Sequence, residues 1–309
     1  MSIPSSMTAA LPPGVPVAVP GRGAVRVHDT GVDTAQPALL LLHGWNIDGV
    51  TNWAHALDAL AERHRVIVLD HHGHGHGVRP ETAFRLEHCA TDALQVLDRL
   101  GVQRFVAVGY SMGGAVAQLL AHRAPERCVG LVAMASADRW VDSRRERAEF
   151  GVLRAAARAA RRTPPRMLRP VTDRIMRIAC ARYPDWVLDV VRQADAVALL
   201  EAGAELGRFD SSAWCSRLAQ PSAVIVTEQD RVVPPWRQER LAEALPHADT
   251  FRIDCDHDVP LEADHRFGAV VRTAVDSVLT RVDECSSPAS RRHLPEASGP
   301  LRSFSPSAS

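Results

Sequence analysis

The chain has 309 residues, 46% of them hydrophobic and 23% charged, and its formal net charge is zero. This balance is typical of a globular protein and argues against a protein that binds nucleic acid. All 36 Lys and Arg positions hold arginine. Chemistry that needs a lysine of this chain, such as Schiff-base formation, pyridoxal phosphate attachment or a P-loop, is therefore excluded.

The apolar runs and the cysteine spacing indicate in which cellular compartment the protein is expected. No apolar run reaches the roughly 18 residues that a membrane span needs, and prolines interrupt the apolar N-terminal segment. We therefore expect neither a membrane span nor a secretory signal. The six cysteines are widely spaced without a C-x-x-C pair, which favours free thiols over a disulfide framework or a zinc ribbon. These features together predict a cytoplasmic protein.

The predicted elements follow one another between two irregular ends. Residues 1–20, rich in Pro, Ser and Ala, are predicted to be a flexible N-terminus, and residues 284–309 a disordered tail. Short apolar runs between them are typical of strands buried on both faces. The predicted strands are 24–28 (an edge strand), 38–42, 65–70, 104–109, 130–135, 222–227 and 250–254. The predicted helices include 53–60, 86–100, 115–120, 237–245 and 267–281.

Strands that alternate with helices predict an α/β fold, a parallel sheet with helices on both faces, built from residues 21–137 and 219–283. The alternation stops over residues 138–218, where helical spacing predicts a cap over the end of the sheet. The first half of this cap is rich in arginine: Arg144, Arg145, Arg147, Arg154, Arg158, Arg161, Arg162, Arg166 and Arg169. Solvated helix faces are the favoured interpretation, and an anion-binding patch for a substrate such as an acyl thioester is the alternative.

The stretch VGYSMGGA places Ser111 in a G-x-S-x-G motif between a predicted strand and a predicted helix. A serine on such a tight turn has strained backbone angles, so its neighbours Gly109 and Gly113 must be small. The N-terminus of the following helix helps to stabilise negative charge. The motif therefore predicts Ser111 as a nucleophile.

A serine hydroxyl needs a general base, and the base needs an orienting carboxylate. Asp230 follows the predicted strand 222–227 and His257 follows the strand 250–254. Both residues should therefore lie at the same sheet edge as Ser111. Asp138, which follows the predicted strand 130–135, is an alternative acid.

The stretch HGW at residues 43–45 ends a predicted strand with a turn at Gly44. The backbone N–H of Trp45 can point into the site beside that of Met112, and we predict these two groups as the oxyanion hole. His43 is interpreted as a packed side chain that supports the turn, rather than as a catalytic group.

Over roughly residues 20–282 the chain resembles the serine hydrolases of the α/β-hydrolase fold. The matching pieces are HGW, D-x-x-G-H-G at 70–75, GYSMGG at 109–114, DRVVP at 230–234 and D-H-x-x-P-L-E at 256–262. The resemblance implies a mostly parallel sheet of eight strands with a helical cap, and a site without metal or cofactor. It also implies a triad of Ser111, His257 and Asp230, and favours Asp230 over Asp138 because DRVVP matches the family pattern in full.

The chain departs from the family pattern at two positions. Asp256 stands where the family has glycine, and its carboxylate could either favour the imidazolium form of His257 or point to solvent. His72 stands where arginine is usual and could titrate near neutral pH, with a mild effect expected. Serine at position 111 disfavours the family's dehalogenases and epoxide hydrolases, which use aspartate there.

The stretch DHHGHGHG at residues 70–77 has the composition of a metal-binding tract. The glycines make such a tract floppy, and no carboxylate spacing completes a ligand shell, so metal catalysis is disfavoured. By the resemblance, His74 supports a conventional turn.

These features predict acyl transfer to water from a small to medium carboxylic ester, lactone or thioester through an acyl-serine intermediate. A cofactor-free perhydrolase, a carbon–carbon bond hydrolase and an acyltransferase stay open, because they share the triad. A non-catalytic ligand-binding module is disfavoured because the triad is complete. The expected partner is a small acyl substrate, and the oligomeric state is not indicated. Three tryptophans of the cap either shape an apolar pocket or belong to the core: Trp140, Trp186 and Trp214.

Overall fold

A computed structural model describes residues 11–31, 35–246, 248–262 and 265–286. Its centre is an eight-stranded sheet in the order β1-β2-β4-β3-β5-β6-β7-β8. The strands are β1 Val15–Val19, β2 Gly23–Asp29, β3 Ala38–Leu42, β4 Val66–Leu69, β5 Phe105–Tyr110, β6 Cys128–Met134, β7 Ser222–Thr227 and β8 Ala248–Ile253. Strands β3 to β8 pair in parallel, while β2 is antiparallel to both β1 and β4. The predicted α/β fold with a mostly parallel sheet is confirmed.

The N-terminal edge of the sheet differs from the prediction. Val15–Val19 forms β1, so the predicted flexible N-terminus does not extend to residue 20, and β2 is an interior strand. Proline obscured this strand, because proline lacks the N–H that a central strand needs. Pro16 is tolerated here since β1 is at the edge of the sheet. Residues 1–10 lie outside the described residues.

Helices cover both faces of the sheet. The core helices are α1 Gly49–Ala61, α2 Leu86–Arg99, α3 Met112–Arg123, α8 Pro235–Ala244 and α9 His265–Ser286. Helix α9 includes the first residues of the predicted tail, and the rest of that tail lies outside the described residues. None of the helices in the described ranges is long and apolar enough to cross a lipid bilayer.

Alternate side chains of β3 belong to the two halves of the core. Leu39 and Leu41 pack with Trp53 of α1 and Phe267 of α9, whereas Leu40 and Leu42 pack with α2 and α3. Each fully buried leucine contributes on the order of 2 kcal/mol to the free energy of unfolding. This two-sided burial fixes the carboxyl ends of the parallel strands, where the loops of the site begin.

The chain between β6 and β7 is helical. It contains α4 Arg144–Arg162, α5 Pro165–Ala179, α6 Asp185–Val191, α7 Ala196–Leu206 and a 3₁₀ turn at Cys215–Arg217. Ser143 and Glu146 form a capping box at the start of α4, and Asp195 caps α7. These helices make up the segment that the sequence predicts as a cap.

The loop after β4, residues 70–77, contributes two imidazoles to a buried cluster of His43, His71 and His74. The His43 ring centroid lies 4.3 Å from that of His71 and 5.3 Å from that of His74. His43 Nε2 accepts the backbone N–H of His71 at 2.8 Å, so His43 Nδ1 donates to the Gly44 carbonyl at 2.7 Å. The neutral form of His43 thus joins this loop to the turn at residues 43–45.

The histidine cluster stays uncharged near neutral pH. Burial lowers the pKa of His43 to about 4 and that of His74 to about 3, and it lowers the pKa of His71 well below the usual value. Two buried carboxyls have the opposite effect on how stability changes with pH. Burial raises the pKa of Asp48 to about 6 and also raises that of Asp70. The pH dependence of stability is therefore the sum of the contributions of the three histidines and the two carboxyls.

His72 stays neutral near pH 7, in keeping with the mild effect expected at this position. Burial and the nearby Arg22 guanidinium lower the pKa of His72 to about 4. Arg22 Nη2 lies 3.4 Å from His72 Nδ1, and the imidazole stacks on Phe84 with ring centroids 5.4 Å apart. An arginine at position 72 would meet this guanidinium, which gives a local reason for a smaller, neutral side chain.

Replacement of His71 by leucine should weaken the acid sensitivity of the fold. Unfolded histidines take up protons as the pH falls through about 6.5, and a histidine with a lowered folded pKa takes them up only at lower pH. The unfolded state therefore binds more protons in this window, and stability falls with pH. His71 has no ring hydrogen bond within the described ranges, so leucine leaves no partner unsatisfied.

The urea midpoint, followed by circular dichroism at about pH 7.5 and about pH 5, measures this effect. We expect His71→Leu to lose less stability than wild type on acidification, by on the order of 1 kcal/mol. His265→Leu, at an exposed position, is the control and should follow wild type. An equal loss in His71→Leu and wild type would contradict the assignment.

Candidate active site

Ser111 lies on the tight turn between β5 and α3. Its backbone angles, φ 53° and ψ −115°, belong to a sparsely populated region for a residue with a side chain. A Cβ on Gly109 would lie 2.2 Å from the Gly113 carbonyl oxygen, and one on Gly113 would lie 2.1 Å from the Leu42 carbonyl oxygen. Glycine is thus required at both positions, as the sequence predicts, and close packing holds the strained turn in place.

The structure brings Ser111, His257 and Asp230 together. Ser111 Oγ lies 3.1 Å from His257 Nε2, and His257 Nδ1 lies 2.7 Å from Asp230 Oδ2. Asp230 follows β7 and His257 follows β8, so both side chains extend from the sheet edge that carries Ser111. The arrangement allows a proton to move from the serine hydroxyl to an imidazole whose opposite nitrogen faces a carboxylate.

Asp230 is fixed from four directions besides His257. Its Oδ1 accepts the backbone N–H groups of Val232 and Val233, both at 2.8 Å. Its Oδ2 accepts from the Thr227 hydroxyl at 2.7 Å and from the Gln238 amide at 3.3 Å. These donors hold the buried carboxylate of Asp230 in one orientation.

Asp138 lies elsewhere and does not contact His257 in the described ranges. Its Oδ1 lies 2.6 Å from Arg240 Nη2, which belongs to α8, and the Arg240 Nε–H donates to the same oxygen at 2.8 Å. Asp138, the alternative acid, thus forms an ion pair that links the end of β6 to α8.

Asp256 points away from the His257 ring. Burial raises its pKa, but the backbone N–H of His257 and the Arg231 side chain lower it further, so the net pKa of Asp256 is lowered. Arg231 Nε lies 2.9 Å from Asp256 Oδ2. The residue that replaces the family glycine therefore fixes the His257 backbone and pairs with an exposed arginine. Tyr110 holds the same backbone from below, donating from its hydroxyl to the His257 carbonyl at 2.6 Å.

The turn at residues 43–45 lies against Ser111. A Cβ on Gly44 would be 3.4 Å from both the Ser111 Cβ and the Asn52 Oδ1. Asn52 of α1 accepts the Gly44 backbone N–H at 2.8 Å, which fixes the peptide between His43 and Gly44, one residue before Trp45. Met112 begins α3, where backbone N–H groups have no acceptor within the helix. The predicted oxyanion donors, Trp45 and Met112, are therefore on turns that meet at Ser111.

Trp45 also connects the site to the cap. Its indole Nε1–H donates to the Leu199 carbonyl of α7 at 2.9 Å, and the ring packs on Gly203. A second link joins the cap to the loop after β4, because the Asp195 N–H donates to the Gly73 carbonyl at 2.7 Å.

A cavity of about 240 Å³ lies beside the His257 side chain, between the core and the cap. Its core side includes Gly44, Asn52 and Tyr110, and its cap side includes Tyr183, Val187 and Val190. The three cap tryptophans do not line this cavity. Trp140 and Trp214 belong to or pack on the main core, and Trp186 packs within the cap. Shorter aliphatic side chains of α6 form the wall instead.

Some residues of this arrangement are not evident from the sequence. Asn52, Thr227, Gln238 and Tyr110 hold the turn, the carboxylate and the histidine loop. They carry no motif of their own, and only their position directly beside the motifs or on the adjoining helix could have indicated them. In the described ranges, no group of three or more His, Cys, Asp or Glu residues is arranged to hold a metal ion.

Comparison with known proteins assigns the family. The sequence model of the α/β hydrolase fold matches residues 37–264. A putative carbamate hydrolase, RutD, of Agrobacterium fabrum is 28% identical over 233 residues, which cover 72% of this chain and 86% of that protein.

Solved structures agree with this assignment. A thermophilic esterase of Thermogutta terrifontis is 26% identical with a TM-score of 0.64, over 87% of this chain and 99% of the esterase. The enol-lactonase of Burkholderia xenovorans LB400 shares the fold at 24% identity with a TM-score of 0.64, over 85% of this chain and 99% of the lactonase. The chain belongs to the α/β hydrolase fold family of enzymes.

Proposed function

We propose that this enzyme is a serine hydrolase that cleaves a small to medium carboxylic ester, lactone or thioester through an acyl-serine intermediate. The observation that carries the proposal is the continuous chain from Ser111 Oγ through the two nitrogens of His257 to Asp230. This geometry supplies a nucleophile, a base within reach of its proton, and a carboxylate that orients the base.

In the proposed reaction, Ser111 Oγ attacks the substrate carbonyl carbon while His257 Nε2 takes the hydroxyl proton. Collapse of the tetrahedral intermediate breaks the bond to the leaving group, which receives that proton from His257. Water then attacks the acyl-serine, His257 takes a proton from the water, and Ser111 regains its proton as the acid leaves. Asp230 holds His257 Nδ1–H throughout and stabilises the imidazolium.

The negative oxygen of each intermediate is stabilised by the backbone N–H groups of Trp45 and Met112. Each such donor contributes roughly 3 to 4 kcal/mol in the transition state. The proposal needs no metal or cofactor, because the attacking group and the charge stabilisation come from this chain.

The cavity favours a modest acyl group. Its volume of about 240 Å³ lies below the range of drug-sized sites, and the part of its wall formed by α6 is aliphatic. A perhydrolase, a carbon–carbon bond hydrolase and an acyltransferase use the same triad and remain alternatives. The similarity to a protein named as a carbamate hydrolase adds carbamates to the substrates worth testing. A non-catalytic module is disfavoured, because such a module has no need of an intact triad.

A fluorophosphonate probe and a substrate series test the proposal. We expect stoichiometric labelling of Ser111 and turnover of p-nitrophenyl esters, lactones or acyl thioesters. Both should disappear in Ser111→Ala, with turnover falling by at least about 10⁴-fold. A folded wild-type protein that neither labels nor turns over any of these substrates would sink the proposal.

A pair of aspartate variants tests the acid. We expect Asp230→Asn to reduce kcat by roughly 10⁴-fold, because the imidazole tautomer is no longer held. Asp138→Asn is the matched control, since Asp138 is also buried but pairs with Arg240. Its kcat should stay within about tenfold of wild type even if its melting temperature falls. The opposite order of the two kcat values would assign the acid to Asp138.

Asn52→Ala tests the position of the oxyanion turn. Loss of the hydrogen bond from the Gly44 N–H should let the Trp45 peptide move, with a fall in kcat of about tenfold or more and little change in KM. Steady-state kinetics on one ester separates the two constants, and a thermal melt checks the fold. A raised KM with unchanged kcat would instead place Asn52 in substrate binding alone.

A further inference from the structure

Helix α5 exposes an apolar surface that is unusual for a cap. The exposed fractions are 62% for Met167, 58% for Val171, 56% for Ile175 and 69% for Ile178. Their spacing of four, four and three residues places them on one side of the helix. We call these four residues the α5 stripe. Contiguous apolar side chains exposed to this extent indicate a surface that binds another protein or a membrane.

The sequence segment that carries the α5 stripe is strongly basic. Residues 144–179 contain eleven arginines and three acidic residues, in a chain whose net charge is zero. Arg166, Arg174 and Arg177 are exposed on the same helix, and their helical positions flank the stripe on one side. The only acidic residue of α5, Asp173, is neutralised by Arg177 and Arg192, at 3.2 Å and 2.8 Å.

We propose that the α5 stripe docks on the surface of an anionic phospholipid bilayer. A helix with an apolar face flanked by arginine lies in the plane of such a surface, with its apolar side chains in the acyl boundary and its guanidinium groups at the phosphates. Each arginine near an anionic surface adds electrostatic attraction, and the apolar side chains add the transfer energy of their buried area. The 15 residues of α5 span about 22 Å, enough for four turns of contact.

Charge distinguishes this occupant from a second copy of the chain. An antiparallel two-fold pairing through α5 would bring the arginines of both copies to the same side of the contact, which is unfavourable. An anionic lipid surface buries the stripe and neutralises the arginines at once. The cap segment therefore matches the lipid surface in both properties.

Helix α5, which carries the stripe, lies close to the cavity beside His257. A second cavity of about 620 Å³ lies between α5 and the segment that leads into α7, with Met176, Val191 and Leu199 in its wall. Val191 also lines the cavity beside His257. Docking through α5 would thus hold the catalytic cavity next to a source of acyl substrates, although membrane binding does not depend on the proposed hydrolysis.

Sedimentation with vesicles tests the inference on the full chain. Vesicles of phosphatidylcholine with about 30% phosphatidylserine are compared with pure phosphatidylcholine, at low salt and at about 0.5 M NaCl. We expect binding to the anionic vesicles at least about tenfold tighter than to the neutral ones, and weakened by salt. The double substitution Ile175→Ser with Ile178→Ser should reduce this binding by at least about tenfold.

A matched control and a second measurement separate the outcomes. Val152→Ser, on α4 at 70% exposure, should bind like wild type, and Ser111→Ala should bind like wild type because binding needs no catalysis. Melting temperatures and turnover of a short soluble ester verify that the double variant is folded. Equal binding of wild type to both vesicle types, or unchanged binding of the double variant, would overturn the inference. A stable dimer of wild type that the double variant dissolves would assign the stripe to self-association instead.

Discussion

The strained backbone of Ser111 is the constraint on which the site depends. A side-chain-bearing residue at φ 53° and ψ −115° is unfavourable, so the surrounding structure must hold it there. Packing does this, because Gly109 and Gly113 allow β5, α3 and the end of β3 to approach more closely than any Cβ would permit. The same approach brings the turn at residues 43–45 against Ser111. One steric requirement thus places Ser111, the predicted nucleophile, and both predicted oxyanion donors together.

The histidine-rich loop at residues 70–77 extends this scaffold outward. His43 must be neutral to accept from the His71 N–H and donate to the Gly44 carbonyl at the same time, and burial keeps it neutral by lowering its pKa to about 4. The loop then contacts the cap, where Gly73 accepts from the Asp195 N–H. The loop at residues 70–77, whose composition suggests metal binding, thereby links the turn at residues 43–45 to the cap. Its buried histidines stay neutral and serve as packed, hydrogen-bonded side chains.

The sequence predicts those elements whose structure is determined by a single local pattern. Buried runs mark six of the eight strands with boundaries close to those observed, and the motif around Ser111 marks its turn. The strand Val15–Val19 is not evident from the sequence because Pro16 lies inside it, and its pairing with β2 makes it a strand. Asn52 and Gln238 were missed for a related reason: each acts on a residue that folding brings near. Burial likewise decided the neutrality of His72, which a sequence cannot show.

The core and the cap meet the requirements of catalysis by different means. The core residues around Asp230 form a closed hydrogen-bond network, whose donors leave the carboxylate one free direction, toward His257. The cap has a smaller apolar cluster of its own, around Cys180, Val187 and Val191, and reaches the site through separate contacts such as Trp45 with Leu199. In the proposed reaction, the valines of α6 in the cavity wall would select the acyl group, whereas the proposed triad in the core would supply the chemistry. The family motifs lie in the core, which is why they indicate the reaction chemistry better than the acyl group.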